Sequence, residues 1–212
     1  MVSRNLYIVG AGGFGREVYC WLKDVFPLER DWQFCGFLDD APDALDGMNY
    51  EKGVVAPIHG FIPKQSDVFV CGVGSVPAKM KLCQPLIDRG AQFLTLIHPS
   101  VVIGDNVKLG TGVVLCPGVV LTCDISLGAM VMINCHSSAG HDVTIGDWST
   151  ISGHCDLTGY TKLGTGVFFG SGARIIPGKS VGDNAVVGAG AVVIRSVAVE
   201  QKVFGNPARV FA

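Results

Sequence analysis

From Ile97 onward the chain keeps one period. Every sixth residue is apolar: Ile97, Ile103, Leu109, Leu115, Leu121, Leu127, Ile133, Ala139, Ile145, Ile151, Leu157, Leu163, Phe169, Ile175, Val181, Val187 and Val193. No step needs an insertion. Neither a helix (period 3.6) nor a plain strand (period 2) gives this pattern. A six-residue unit fits one short strand plus one corner, and three units close a triangular coil. The apolar position points inward and stacks on its equivalents one coil above and below. Glycine often follows it, as at Gly104, Gly110, Gly128, Gly140, Gly146, Gly164, Gly170, Gly182 and Gly188. Gly, Asn and Asp are expected to supply the unusual corner torsions. The repeat makes a little over five coils, a prism ~25 Å tall at ~4.8 Å per coil. Burial of each inward residue stabilises by ~1.5–3 kcal/mol, enough for the stack to hold without disulfides.

The first hundred residues follow a different pattern. Leu6-Tyr7-Ile8-Val9 reads as a strand. Gly10-Ala11-Gly12-Gly13-Phe14-Gly15 follows, then a helical stretch from Arg16 to about Val25. This is G-x-G-x-x-G in its strand–turn–helix setting, where glycines allow a tight turn and let a phosphate approach the helix N-terminus. A second strand, about Gln33 to Leu38, ends at Asp39-Asp40, carboxylates able to accept from ribose hydroxyls or a base. A third, Val68 to Val73, ends at Gly74-Ser75. A helix from Pro77 to about Arg89 and a strand around Gln92–Ile97 complete the unit. The expected division is residues 1–95, an α/β half-Rossmann unit that binds a nucleotide sugar, and 96–212, an all-β parallel β-helix with a C-terminal tail. The first unit is too small for both halves of a dinucleotide site, so a single nucleotide, free or linked to a sugar, fits it better.

Composition narrows the function. Hydrophobic residues are 49% of 212, enough for a sizeable core, yet no apolar run approaches the ~18 residues of a membrane helix. The start reads as a folded strand and helix and not as a signal peptide. The net charge is −2 with no basic cluster, which argues against a nucleic-acid partner. Eight cysteines without a CxxC pair fit reduced thiols in a cytoplasm.

Of five histidines, His141 carries most information. It lies two residues past inward Ala139, so its ring is expected to face outward near a corner, with Asp142 directly after it. A neutral imidazole accepts a proton at pH 7, and a neighbouring carboxylate strengthens it as a base. His136 and His154 are one coil apart and expected to stack. Together with His141 they raise a zinc site, as in carbonic anhydrases of the γ class, which use such a prism. The third ligand should come from two coils before His136, where Ser100 stands and His98 is out of register. Cys135 as a covalent acyl carrier is a further alternative.

The glycine-rich half-Rossmann unit, Leu96-Ile97-His98-Pro99-Ser100, the unbroken hexapeptide repeat, Asn134…His141-Asp142…Ile145-Gly146 and the closing Gly205-Asn206-Pro207-Ala208-Arg209 together resemble the bacterial sugar O- and N-acyltransferases of the NeuD/PglD type. The resemblance covers essentially the whole chain. It implies a left-handed β-helix and a homotrimer packed side against side, with Val114, Met130, Met132 and Phe168 as apolar outward residues. It implies transfer of an acetyl group from acetyl-CoA to an amino group of a nucleotide-linked sugar, with no metal. His141 would be the general base and Asp142 its orienting carboxylate. Gly12, Gly13, Phe14, Asp39, Asp40, Gly74 and Asn134 would bind the sugar nucleotide. Thr150, Ser171 and Ala189 match the family's acetyl-CoA contacts; Lys179, Arg195 and Arg209 are candidates for the cofactor's phosphates, with ordinary solvated charge as the favoured alternative. Sugar O-acetylation of the sialic acid type, a γ-class metal enzyme and a non-catalytic nucleotide-sugar-binding protein remain the alternatives.

Overall fold

A computed structural model describes residues 4–25 and 32–211. The chain splits into two compact units, Met1–Thr95 and Leu96–Ala212.

In the first unit, β1 (Arg4–Val9), β2 (Trp32–Leu38), β3 (Val54–Ala56), β4 (Asp67–Cys71) and β5 (Gln92–Phe93) form one sheet of order β3-β2-β1-β4-β5. All its pairings are parallel. Helices α1 (Gly13–Val25) and α2 (Val76–Asp88) supply crossovers. The central strands read as continuous apolar runs because both faces of a parallel sheet are covered, and Leu6, Ile8, Val9, Val68, Phe69 and Val70 are all buried. Strand order reverses between β1 and β4, so their C-terminal ends open the crevice where such sheets take ligands. The loops leaving those two ends are Gly10–Gly15 and Gly72–Ser75.

The second unit is the parallel β-helix that the period predicts. Its strands are two residues long until the last coil. They stack as three faces. The first holds seven parallel strands, from Leu96–Ile97 to Lys202–Phe204, closed by antiparallel Arg209–Val210; the second holds six, from Val102–Ile103 to Val192–Val193; the third holds five, from Lys108–Leu109 to Ser180–Val181. Register is 18 residues at every step up to the last coil, as in Ser138 on Val120 and Asp156 on Ser138, and 16 at the final one, Lys202 on Val186. The inward residues from Leu115 to Val193 are all buried.

Gly, Asn and Asp supply ten of the fifteen positive-φ corner torsions between residues 106 and 190, as expected, and Met130, His136, Trp148, His154 and Tyr160 the other five. The glycines that follow the inward residues do not adopt positive φ. They are small because coils touch there: a Cβ on Gly110 would lie 2.5 Å from the backbone of Gly128 and Ala129. The left-handed residue comes two positions later. Every sixth residue from Asn106 to Gly190 has positive φ, including Met130, His136, Asp142, Trp148, His154 and Tyr160. A second inward stripe, offset from the first, runs along Val113, Val119, Ile125, Val131, Ser137, Val143, Ser149, Cys155, Thr161 and Val167, all buried. Its serine hydroxyls are satisfied between coils, and Thr161 Oγ1 donates within its own coil to Thr158 O at 2.6 Å. Ser137 Oγ donates to Ser152 O at 2.7 Å and accepts the Cys155 N–H at 3.0 Å; Ser149 Oγ repeats this with Gly164 O and the Val167 N–H.

The outward apolar residues differ from the expectation. Val114, Met130 and Met132 are buried within the single chain, and Phe168 is half-buried, so they do not form a free surface for a neighbour. Exposed outward valines stand instead on the second face, at Val102 and Val120.

Candidate active site

In the glycine-rich loop each glycine has its own reason. Gly10 has φ 96° and makes the turn. Gly15 is buried where α1 crosses the strand ends, and its Cα would lie 2.7 Å from a Cβ on Gly72. Gly12 and Gly13 are exposed, and a Cβ on Gly12 or on Gly74 would meet nothing within 4 Å. These are the positions that leave backbone open to a ligand at the β1/β4 crevice. Phe14 is half-buried and meets Trp21 edge-on, centroids 5.7 Å apart.

The two acidic residues after β2 do more than face outward. Asp39 Oδ2 accepts the Ala11 N–H at 2.7 Å and its Oδ1 the Ala41 N–H at 3.0 Å. It ties the glycine loop to the end of β2. Asp40 Oδ1 accepts the His59 N–H at 2.8 Å. Both border a hollow of about 340 Å³ with Pro42, Val54, Val55, Ala56 and Pro57. The strand Val54–Ala56 that walls it was not legible in the sequence pattern.

In the β-helix, His141 and Asp142 occupy the corner between the second and third faces. His141 Nδ1 lies 2.9 Å from Asp142 Oδ2, a geometry in which Nδ1–H donates to the carboxylate; the side chains are 52% and 44% exposed. With that proton on Nδ1, Nε2 carries the lone pair, and Nε2 has no hydrogen-bond partner among the described residues. Asp142 has φ 59° and its N–H donates to Cys123 O one coil below. The corner torsion therefore aims the carboxylate back at its neighbour's ring. Tyr160 meets that ring edge-on, centroids 4.9 Å apart.

Asn134 stands at the other end of the same strand, at the corner between the first and second faces, half-buried, with Oδ1 accepting the Cys135 N–H at 2.7 Å. Ser171 and Ala189 are exposed and 18 residues apart, so they stack along this corner; Gly190 N–H donates to Ser171 O at 2.9 Å. Thr150 lies on the first face, 4% exposed, paired between Met132 and Phe168. Within one chain Ser171 and Ala189 thus line a different edge of the prism from His141, with the second face between them. His136 and His154 stack in parallel, centroids 5.3 Å apart and planes 22° apart. Among the described residues no three His, Cys, Asp or Glu gather as a metal ion would need. No described helix is long and apolar enough to cross a membrane.

Two family models match the chain: PglD N-terminal domain over residues 5–86, and hexapeptide repeat of succinyl-transferase over residues 160–195. The GDP-perosamine N-acetyltransferase of Escherichia coli O157:H7 is 30% identical over 192 residues, covering 88% of this chain and 84% of that protein. Among solved structures, WeeI from Acinetobacter baumannii AYE superposes with a TM-score of 0.85 at 31% identity, covering 97% of this chain and 99% of that one. PerB from Caulobacter crescentus, in complex with CoA and GDP-perosamine, superposes with a TM-score of 0.85 at 26% identity, covering 98% and 97%. Fold, loop architecture and these likenesses agree: the chain belongs to the NeuD/PglD-type family of sugar acyltransferases.

Proposed function

We propose that the chain transfers the acetyl group of acetyl-CoA to an amino group on a nucleotide-linked sugar, with His141 as general base and Asp142 as its orienting carboxylate. That it is an acetyl-CoA-dependent sugar acetyltransferase follows from its family. The observation that carries the mechanistic reading is the His141 Nδ1–Asp142 Oδ2 contact of 2.9 Å beside an unpaired Nε2.

The chemistry runs as a direct transfer. The amine nitrogen attacks the thioester carbonyl carbon, and a C–N bond forms. Nε2 of His141 takes the proton that the nitrogen sheds. The tetrahedral adduct collapses, the C–S bond breaks, and the CoA thiolate leaves with a proton returned from the imidazolium. General base catalysis of this kind contributes ~10²–10⁴-fold. A hydroxyl acceptor would follow the same steps. The amino acceptor is preferred because the E. coli and Caulobacter relatives are associated with perosamine, an amino sugar.

The sugar nucleotide is assigned to Gly12, Gly13, Phe14, Gly74, Asp39 and Asp40, and to Asn134, which shares the corner of Ser171 and Ala189. Acetyl-CoA is assigned to Thr150, Ser171 and Ala189. Because the last two line another prism edge than His141, the reading calls for a second copy to bring its own corner to the base, as in a homotrimer packed through the second face.

A panel of amino-sugar nucleotides with acetyl-CoA, read by mass spectrometry, tests the assignment. One substrate should gain a single acetyl group, and His141→Ala should abolish the gain. Acetylation confined to hydroxyl sugars would move the chain to the O-acetylating branch. Undiminished turnover by His141→Ala would remove it as the base.

A further inference from the structure

The corner that carries the His–Asp pair is built by residues spaced 18 apart, all with positive φ: Asn106, Asp124, Asp142, Tyr160 and Gly178. Asn, Asp and Gly visit the left-handed region readily. A tyrosine does not, and its backbone there costs ~1–2 kcal/mol. Nor does burial offset that cost, since Tyr160 is 59% exposed.

What the ring does touch is the imidazole of His141, edge-on at 87° with centroids 4.9 Å apart. The backbone holds the two in register, because the Tyr160 N–H donates to His141 O at 3.0 Å. Gly159, just before it, is buried and leaves room for the ring: a Cβ there would lie 2.5 Å from Nε2 and 2.6 Å from Cε1. The imidazole therefore has three neighbours: a carboxylate at Nδ1, a bare glycine against its far edge, and an aromatic ring set across it.

The carboxylate alone is a weak anchor. A pair this exposed is worth ~0–1 kcal/mol and competes with water for both partners. An edge-on aromatic contact adds ~0.5–1.5 kcal/mol, enough to favour one rotamer severalfold. A strained residue whose side chain meets a candidate reacting group is where strain and function coincide.

We propose that Tyr160 is the positioning residue of this site: its ring, with Gly159, holds the His141 imidazole so that Nδ1 stays on Asp142 and Nε2 faces the acceptor. The proposal rests on the reading of His141 as general base. Tyr160 touches no substrate in it and transfers no proton.

The informative variant is Tyr160→Asn. It removes the ring, while asparagine suits the torsion, as Asn106 does in the same column. A loss of activity then cannot be put down to a strained or unfolded corner, and the melting temperature should be no lower than wild type. Tyr160→Phe keeps the ring and serves as rescue. Two readouts are taken on the full chain. The first is steady-state kinetics with acetyl-CoA and GDP-perosamine, moving to UDP-linked amino sugars if these are turned over better. The second needs no substrate: ¹⁵N-histidine NMR of the imidazole nitrogens, with His141→Ala identifying the His141 signals.

Tyr160→Asn should lower kcat about 10-fold with both KM values within about twofold. The His141 nitrogens should move from one protonated and one bare signal toward averaged values, and Tyr160→Phe should restore both readouts. Wild-type kcat together with an unchanged His141 signal in Tyr160→Asn would overturn the proposal. So would a raised KM at unchanged kcat, which would place Tyr160 against substrate. If His141→Ala proves fully active while Tyr160→Asn still averages the imidazole signals, the base assignment fails and the seating of the ring stands.

Discussion

The His141 imidazole lies against Gly159, one coil later in the β-helix, so closely that a methyl group added at 159 would come within 2.5 Å of Nε2. Gly159 is not among the residues with positive φ, so alanine suits its backbone. The obstacle is the end of a half-exposed side chain that can swing away. Gly159→Ala should therefore fold with a melting temperature close to wild type, yet turn the ring off its line. A displacement of ~1 Å at a reacting group costs on the order of 10²-fold in rate. Stopped-time assays of kcat beside thermal melts check this. An alanine variant with wild-type kcat would mean that the orientation of this ring does not limit the reaction.

The second unit was legible in the sequence because its signal is redundant. The inward positions repeat without a break, and each one alone is uninformative. Ser137, Ser149 and Thr161 hid the second inward stripe, because a polar residue at a core position breaks an apolar count. Their hydroxyls are spent on backbone carbonyls, those of Ser137 and Ser149 in the next coil and that of Thr161 on Thr158, three residues back. Counting from Val101 in steps of six would have found the stripe. The corner torsions are legible in part: Gly, Asn and Asp hold ten of the fifteen positions between residues 106 and 190. Glycine signals both free torsion and close approach, and at Gly104 and Gly110 it serves the second. The true left-handed positions admit Met130, Trp148 and Tyr160, types that carry no such signal. At the site, the His141–Asp142 contact was foreseeable from adjacency, but Tyr160 was not. It comes into reach only because 18 residues make one coil.

Asp39 reads in sequence as a ribose ligand, but its carboxylate holds the Ala11 N–H at 2.7 Å and the Ala41 N–H at 3.0 Å. Part of its effect on a nucleotide would then pass through the shape of the glycine loop. Removing the acceptor leaves a loop N–H unpaired, at a cost of ~1–3 kcal/mol. Asp39→Ala should raise KM for the sugar nucleotide about 10-fold or more while leaving KM for acetyl-CoA unchanged, because the acetyl-CoA residues belong to the other unit. A rise in both KM values would show a general loss of fold in its place.

Lys79 predicts how stability depends on pH. It sits on α2 fully buried, and burial pulls its ammonium down to about 8, partly opposed by Cys71 and Cys83. The unfolded chain holds that proton more tightly than the folded one. The penalty is complete below pH 8 and is relieved as pH rises toward 10.5, so this group makes the fold more stable in alkali. Between pH 7 and 9 the gain is about 1.4 kcal/mol. Buried Cys83, pushed up by its Cys71 hydrogen bond and by burial, and Cys155, pushed up by burial, act in the opposite sense once the unfolded thiols ionise. Comparison with Lys79→Met cancels them. Urea unfolding at pH 7 and 9 should show wild type gaining about that amount relative to Lys79→Met. Equal pH dependence in the two proteins would mean that Lys79 is not depressed.

Assembly can be tested at the second face. Outward residues on the first face are already covered, Val114 at 1% and Met132 at 2% exposure, while Val102 and Val120 stand at 59% and 36% and pair in register. The third face presents Lys108, Ser126, Thr144, Lys162 and Ser180, all exposed and polar. The second face, apolar at Val102 and Val120 and polar from Ser138 through Asp156 to Arg174, lies between the Ser171/Ala189 corner and the His141 corner, and there a second copy would bring Ser171 and Ala189 to a neighbour's His141. A ring of such contacts, each between different patches, closes as a trimer. Val120→Arg should therefore convert a trimer to monomers in sedimentation velocity with little change in circular dichroism, and turnover should fall with it. Val114→Arg is the contrasting variant: a charge forced into a buried site should lower the melting temperature sharply whatever the assembly state. If Val120→Arg stays trimeric and active, the second face is not the interface; if it is monomeric and fully active, one chain holds a complete site and the split between prism edges has no functional meaning.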